Sequence, residues 1–292
     1  MKNQAVNLID LVSEKKKSND MFVKNPNTRI FTIASGKGGV GKTNIVVNLA
    51  ISLQKSGKKV LIFDADLGMA NVDILLGIAP KATLYDVMFK GKDIKEVIFD
   101  GPEGIKIIPG GSGILELSKL DIMEKRIFVD QFKKLSEFDI VLIDTGAGIS
   151  MNQMSFITFS DEIILVTTPE PTSITDVYSV IKIIGSLNIN KKINVVVNLV
   201  NDEKEALNTF GKLNETTNSF LGIKLVYLGH VVNDVRVNNS VMRQKPFIIK
   251  YPNSMASLCI DNISKDFLNN NKNKIKAKTI DEMYNRLLKV FG

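Results

Sequence analysis

Unbroken apolar runs set the first limit on what this chain can become: RIFTIAS (29–35), KKVLIFDAD (58–66), GIKIIPG (104–110), FDIVLIDT (138–145), DEIILVTT (161–168), INVVVNLV (193–200) and IKLVYLGH (223–230). A strand with one wet face alternates apolar and polar residues, whereas a run that is apolar throughout has to be covered on both faces. Helical patterns separate the runs. The expected fold is therefore α/β, a doubly wound and mostly parallel sheet flanked by helices, with its active loops at the carboxyl ends of the strands. Residues 28–268 carry this body. Ahead of it, residues 1–27 combine a short helical pattern (Ala5, Leu8, Ile9, Val12) with the polar, basic stretches SEKKKSND and NPNT, which read as a linker. Behind it, 269–278 form a basic, asparagine-rich tether and 279–292 a last helix, so short helical extensions are expected at both ends.

Composition narrows the chemistry. A single cysteine, Cys259, leaves no disulfide framework, cysteine zinc site or, within one chain, iron–sulfur cluster. A single histidine, His230, argues against imidazole catalysis and multi-histidine metal sites. No window approaches the roughly 18 apolar residues of a membrane span, and the N-terminus lacks the long apolar stretch of a signal peptide. A reducing, cytoplasmic setting is expected. The net charge of +7 suits an anionic surface, lipid or nucleic acid, without choosing between them.

Between the first run and the first helical pattern lies GKGGVGKT, Gly36 to Thr43, which fits G-x-x-x-x-G-K-[ST] in the strand-to-helix context that motif needs. Its glycines let backbone N–H groups close around phosphate oxygens, Lys42 reaches the β- and γ-phosphates, and the Thr43 hydroxyl ligates Mg²⁺. Nucleotide binding is thus expected at Gly36, Lys37, Gly38, Gly39, Val40, Gly41, Lys42, Thr43 and Asn44. The run KKVLIFDAD ends in Asp64 and Asp66, one residue apart and so on the same side of the chain as it leaves the sheet. With no usable histidine, a carboxylate is the expected holder of an attacking water. FDIVLIDTGAG places Asp144 after an apolar run, the pattern of a Walker B carboxylate holding a magnesium-bound water, with a turn at Gly146 to Gly148 able to sense a γ-phosphate. No NKxD set for guanine is present, which argues against GTP, and INVVVNLV carries Asn198 near its end. On the residues alone, the paired aspartates can also be a solvated strand end, Lys37 a solvated lysine, and Asn198 a cap for the next helix.

Lys37 is a second lysine in a loop where Lys42 already supplies the charge. GKGGVGKT with this extra lysine resembles the deviant Walker A motif of the MinD/ParA family, and the resemblance covers nearly the whole chain. It implies a slow, magnesium-dependent, switch-type ATP hydrolase and an ATP-bound homodimer in which Lys37 reaches the partner's phosphates. In that picture Lys37, Lys42 and Asp66 are catalytic, with Asp66 positioning the water. Thr43, Asp64 and Asp144 attend Mg²⁺, and Asn198 and Asp234 edge the adenine pocket.

The tails extend the resemblance. In TIDEMYNRLLKVFG, residues Ile280, Met283, Tyr284, Leu287, Leu288 and Phe291 form one apolar stripe. Periodicity does not choose between a lipid interface and packing back on the domain; likeness to the C-terminal membrane-targeting helix of MinD-like proteins implies a membrane-associated protein on the inner face of the cell membrane. The stretch MKNQAVNLIDLV resembles the DQAxxLR segment of the FlhG branch of the family, which regulates flagellar number and placement. Gln4, Ala5 and Leu8 agree with it, while Asn3 and Ile9 stand where that segment has aspartate and arginine. The likeness implies an FlhF-like GTPase and flagellar basal-body proteins as partners, with DNA not expected. A division-site MinD and a ParA-type DNA segregation factor, whose basic surface would bind DNA in a salt-sensitive way, are the rival readings.

Overall fold

Residues that are β-branched, leucine or phenylalanine fill the apolar runs, and such residues suit a pleated surface covered on both sides. In the computed structural model, which describes residues 28–66, 71–110 and 120–270, the runs become β1 (Arg29–Ser35), β2 (Val60–Ala65), β4 (Lys106–Ile108), β5 (Ile140–Ala147), β6 (Glu162–Thr167), β7 (Ile193–Val200) and β8 (Val226–Val232). A further short strand, β3 (Phe99–Asp100), joins them. The sheet order is β3-β4-β2-β5-β1-β6-β7-β8, and every pairing is parallel except that of β3 with β4. Between the strands run α1 (Lys42–Lys55), α2 (Val72–Leu76), α3 (Leu84–Phe89), α4 (Ile122–Lys133), α5 (Met151–Phe159), α6 (Pro171–Ser186), α7 (Glu203–Leu221), α8 (Val235–Val241), α9 (Phe247–Lys250) and α10 (Met255–Asn270). None of the described helices is long and apolar enough to cross a membrane.

The period-two alternation of side chains sends each strand's residues into two separate cores. On one face Phe31, Ile33, Ile62, Leu142 and Val196 meet α1 and α10 through Ile45, Leu49, Ile260 and Phe267. On the other, Phe63, Val141 and Ile143 meet Phe128 and Phe132 of α4 and Phe156 and Phe159 of α5. Beyond β1 on that same side, Val195 and Val197 pack with α6 and α7. A fully buried side chain of this size contributes about 1.5–3 kcal/mol, against about 0–1 kcal/mol for an exposed ion pair. The two-sided cover therefore holds the fold together, and the surface charge does not.

Strand β1 lies at the centre, with β5 on one side and β6 on the other. The chain leaves β1 for β2 on one side and later crosses from β5 to β6 on the other, so the strand order reverses at β1, whose carboxyl end opens the crevice in which doubly wound sheets bind ligands. Two expectations shift. The run IKLVYLGH enters the sheet only at Val226 and is half-buried, because β8 is an edge strand covered by α10 but without a neighbour on its outer side. Helix α10 continues through Asn269 and Asn270, into the stretch expected to be tether, since a last turn is held by backbone bonds whatever its side chains. The expected partner residues Gln4, Ala5 and Leu8 and the stripe Ile280, Met283, Tyr284, Leu287, Leu288 and Phe291 lie outside the described residues.

Phe267 is buried and stacks on Phe31 at 4.5 Å between ring centroids. Phe267→Ala is expected to cost about 3–5 kcal/mol, read in urea denaturation as a lower midpoint with an unchanged slope. A loss below 1 kcal/mol would mean that α10 is not part of this core.

Candidate functional site

The phosphate loop is held from below by its own apolar residue and from the side by a distant amide. Val40 is buried in the core beside α1. Its carbonyl accepts a 2.7 Å hydrogen bond from Asn198 Nδ2, on the next strand but one. Gly41, at φ 83°, is the N-cap of α1; a Cβ there would lie 2.3 Å from Asn198 Nδ2, so both the backbone conformation and the neighbour demand glycine. Helix α1 has no side-chain cap, whereas α4, α5, α7 and α8 are capped by Asp121, Ser150, Asp202 and Asp234. Its first N–H groups are left for a ligand, and an anion is what they attract.

On the far side the loop presses on α6. A Cβ on Gly36 would sit 2.3 Å from the carbonyl carbon of Asp176, inside the helix backbone. Ser35 Oγ donates to the Lys37 carbonyl at 3.0 Å, and the buried Gln153 amide ties the ends of β1 and β5 by donating to the Ser35 and Gly146 carbonyls.

Around Lys42 the sheet gathers carboxylates. Register places Asp64 opposite Asp144 on neighbouring strands, and Asp144 opposite Ile33 of β1. Lys42 Nζ lies 2.5 Å from Asp144 Oδ1, with both side chains buried. Burial raises the Asp144 pKa, opposed by the Lys42 ammonium and by a hydrogen bond from the Thr43 hydroxyl. Asp144 Oδ2 is buried without a hydrogen-bond partner among the described residues. Asp64 is pushed up to about 7, first by burial and then by the charge of Asp144. Its Oδ1 accepts from Asp66 N, and its Oδ2 from the N–H groups of Asn71 and Val72 at the start of α2. Asp64 thus holds the turn that follows β2, where the sequence had suggested a carboxylate turned to the loop. Asp66 does stand there: its Oδ1 is 3.2 Å from where a Gly146 Cβ would be, and its Oδ2 accepts from Asn71 Nδ2 at 3.0 Å.

The other expected residues divide. Lys37 is not simply solvated: its Nζ lies 2.8 Å from Glu170 Oε2 and 3.2 Å from Thr172 Oγ1, at the start of α6. Asn198 does not cap α7, because Asp202 accepts from Glu205 N in that role and the Asn198 amide is committed to Val40. Asp234 caps α8 through Oδ1, which accepts from Arg236 N, and its Oδ2 is buried without a partner among the described residues. It makes no hydrogen bond to Asn198 or the loop among the described residues. The strand β5 runs on to Ala147, so the turn beside Asp66 begins at Gly148 instead of Gly146. Asn71, Gln153, Glu170 and Thr172 were not picked out by sequence, since each acts through a partner that only the fold supplies.

The arrangement fits a nucleotide triphosphate with Mg²⁺: an uncapped helix N-terminus and a lysine for phosphate, an unsatisfied buried carboxylate oxygen beside a threonine hydroxyl for the metal, and a further carboxylate on the edge of the crevice. Known proteins are similar to this chain in sequence and in fold. A family model described as an AAA domain matches residues 28–197. The antiactivator FleN of Pseudomonas aeruginosa is 37% identical over 81% of this chain and 85% of its own length. The flagellum site-determining protein YlxH of Helicobacter pylori is 36% identical, with the whole of both chains covered. The structure of the septum site-determining protein MinD of Pyrococcus horikoshii, complexed with Mg-ADP, matches with a TM-score of 0.68 at 28% identity over 86% of this chain and 99% of its own.

Two outcomes follow from this geometry. Gly36→Ala forces the loop off α6, an overpacking of about 1–3 kcal/mol that lowers ATP affinity about ten- to a hundredfold in calorimetric titration; unchanged affinity would contradict the backbone contact. The second concerns pH. Because the Asp64 carboxyl titrates near 7 in the folded chain against 3.8 as a free side chain, the folded state holds the extra proton between those values. Stability of the metal-free protein should fall as pH rises through that window, and Asp64→Asn should flatten the slope in urea melts across it.

Proposed function

Since the chain belongs to the MinD/ParA family of P-loop ATPases, we propose that it is an ATP-driven dimer switch that regulates flagellar number or placement from the inner face of the cell membrane. ATP hydrolysis is the family's reaction. The flagellar assignment is carried by one observation: the match to YlxH, whose name is that of a flagellum site-determining protein, extends over the whole of this chain.

Each residue then has a task. Lys42 exchanges its bond with Asp144 for oxygens of the β- and γ-phosphates, with the N–H groups of Gly36 to Asn44 cradling the rest of the chain of phosphates. Mg²⁺, when bound, neutralises charge on those oxygens, and Thr43 and Asp144 would hold it, with Asp64 behind them. Asp66, steadied by Asn71, orients the attacking water. Asp234 Oδ2, a free acceptor, suits the amino group of adenine, with Asn198 on the other edge of the base. Lys37 supports the developing charge on the partner's γ-phosphate, which requires it to leave Glu170 and Thr172. A lysine bound to its own chain until a second copy arrives makes turnover slow and tied to dimerisation.

Residues 28–268 are the ATPase body in this scheme. The stripe within 279–292 enters an anionic lipid surface; one short helix binds marginally, so pairing two in the dimer couples ATP to membrane residence. Residues 1–27 meet an FlhF-like GTPase or basal-body protein.

The test is co-sedimentation with anionic liposomes in ATP and in ADP. Wild type should bind lipid with ATP only. Asp66→Ala should stay on lipid as a dimer with hydrolysis at least about a hundredfold lower, and a chain ending at 278 should keep ATP binding and lose lipid. Normal turnover in Asp66→Ala refutes the water assignment, and unaltered flagellar counts in a strain lacking the gene refute the flagellar one.

A further inference from the structure

The end of the sheet away from the phosphate loop holds a second cleft, of about 500 Å³. That volume lies within the range of small-molecule sites. Three lysines line it, Lys59 ahead of β2, Lys95 on the short helix Ile94–Val97 and Lys106 opening β4, with Glu137 as the one acid among the lining residues. Phe138 and Ile98 form its apolar part.

The lysines are weakly committed. Lys59 makes no ion pair among the described residues, and its backbone N–H donates to Asp139. Lys95 stands 3.7 Å from Glu137 Oε1, with both side chains more than half exposed. Lys106 pairs with Asp100, whose side chain is 84% exposed. Ion pairs this open exchange readily for another anion.

Where the chain leaves the domain gives the cleft its context. Phe267, in the last turn of α10, packs on Phe31 near the start of β1. Asn270 therefore lies toward the same end of the sheet as the cleft, and the basic stretch NKNKIKAK and the 279–292 stripe follow it. The stretch that leads to the stripe therefore begins at the same end of the domain as the cleft.

We infer that the Lys59–Lys95–Lys106 cleft binds the phosphate of an anionic phospholipid headgroup, so that the domain itself, and not only its terminal helix, touches the membrane. The inference rests on the membrane reading above. Each lysine near an anionic surface strengthens binding about fivefold, so losing all of them should weaken it about a hundredfold.

The experiment is flotation of full-length protein with ATP and Mg²⁺ on vesicles of phosphatidylglycerol and phosphatidylcholine in equal parts, and on phosphatidylcholine alone. The variant combining Lys59→Gln, Lys95→Gln and Lys106→Gln should lose about a hundredfold of its affinity for the mixed vesicles, keep its ATP turnover in the absence of lipid, and differ little from wild type on phosphatidylcholine. Arginine at the same positions should restore binding. Mixed-vesicle binding by the glutamine variant within twofold of wild type overturns the inference while leaving the terminal helix as the anchor. Wild type that ignores both vesicles overturns the membrane reading and this inference with it. Saturation of the cleft by soluble glycerol 1-phosphate in wild type but not in the variant, with vesicle binding alike in both, assigns a free phosphate ligand instead. Lysine-dependent binding of duplex DNA without vesicle binding assigns nucleic acid.

Discussion

One ammonium group, that of Lys42 at the start of α1, pairs with Asp144 of β5, beside which β2 sets Asp64, and the rest of the site is arranged around that pair. Its partner Asp144 is wholly buried. Removing either member of such a pair strands the other's charge, at a cost of about 3–5 kcal/mol, so the pair constrains sequence on two strands at once. It does not satisfy the local electrostatics. Burial holds Asp64 and Asp144 above the ordinary carboxylate range, the charge of Asp144 raises Asp64 further, and Asp66 adds to both. The site is short of positive charge, the condition a divalent cation relieves. In the proposed function Lys42 turns to phosphate, which would deepen the deficit at Asp144 and make nucleotide and metal favour each other's arrival.

Much of this was legible in the sequence, for definite reasons. Strands buried on both faces have to be apolar throughout, so the runs announced themselves, and glycines at fixed spacing before a lysine have few uses other than phosphate. Legibility ended where partners are distant. Nothing near Lys37 indicates Glu170, which is 133 positions away. Asn198 looked like a helix cap or a base contact because an amide at a strand end suits both; its bond to Val40 spans 158 positions and exists only because β7 lies two strands from β1. Asp64 and Asp66 looked equivalent by alternation, yet the chain turns sharply after β2 and the N–H groups of Asn71 and Val72 claim the first of them. The two-residue strand β3 is too short to leave a period at all.

The two lysines of the loop are held in opposite ways. Lys42 points inward to a buried carboxylate; Lys37 points outward and is held by Glu170 and Thr172 at the mouth of α6. Both side chains of the Lys37–Glu170 pair are substantially exposed, so the bond is weak and easily exchanged. Under the dimer proposed above, a partner's phosphates would offer Lys37 more charge than Glu170 does, and the exchange would favour assembly.

Helix α6 is thereby joined to the loop twice, once through that pair and once where Gly36 lies against Asp176. The second contact is of another kind. Side chains in contact can change rotamer and absorb a small displacement, but two backbones in contact cannot. A displacement of the helix at this point is therefore passed to the phosphate loop without slack, and the outer surface of α6 lies one layer from the proposed triphosphate site.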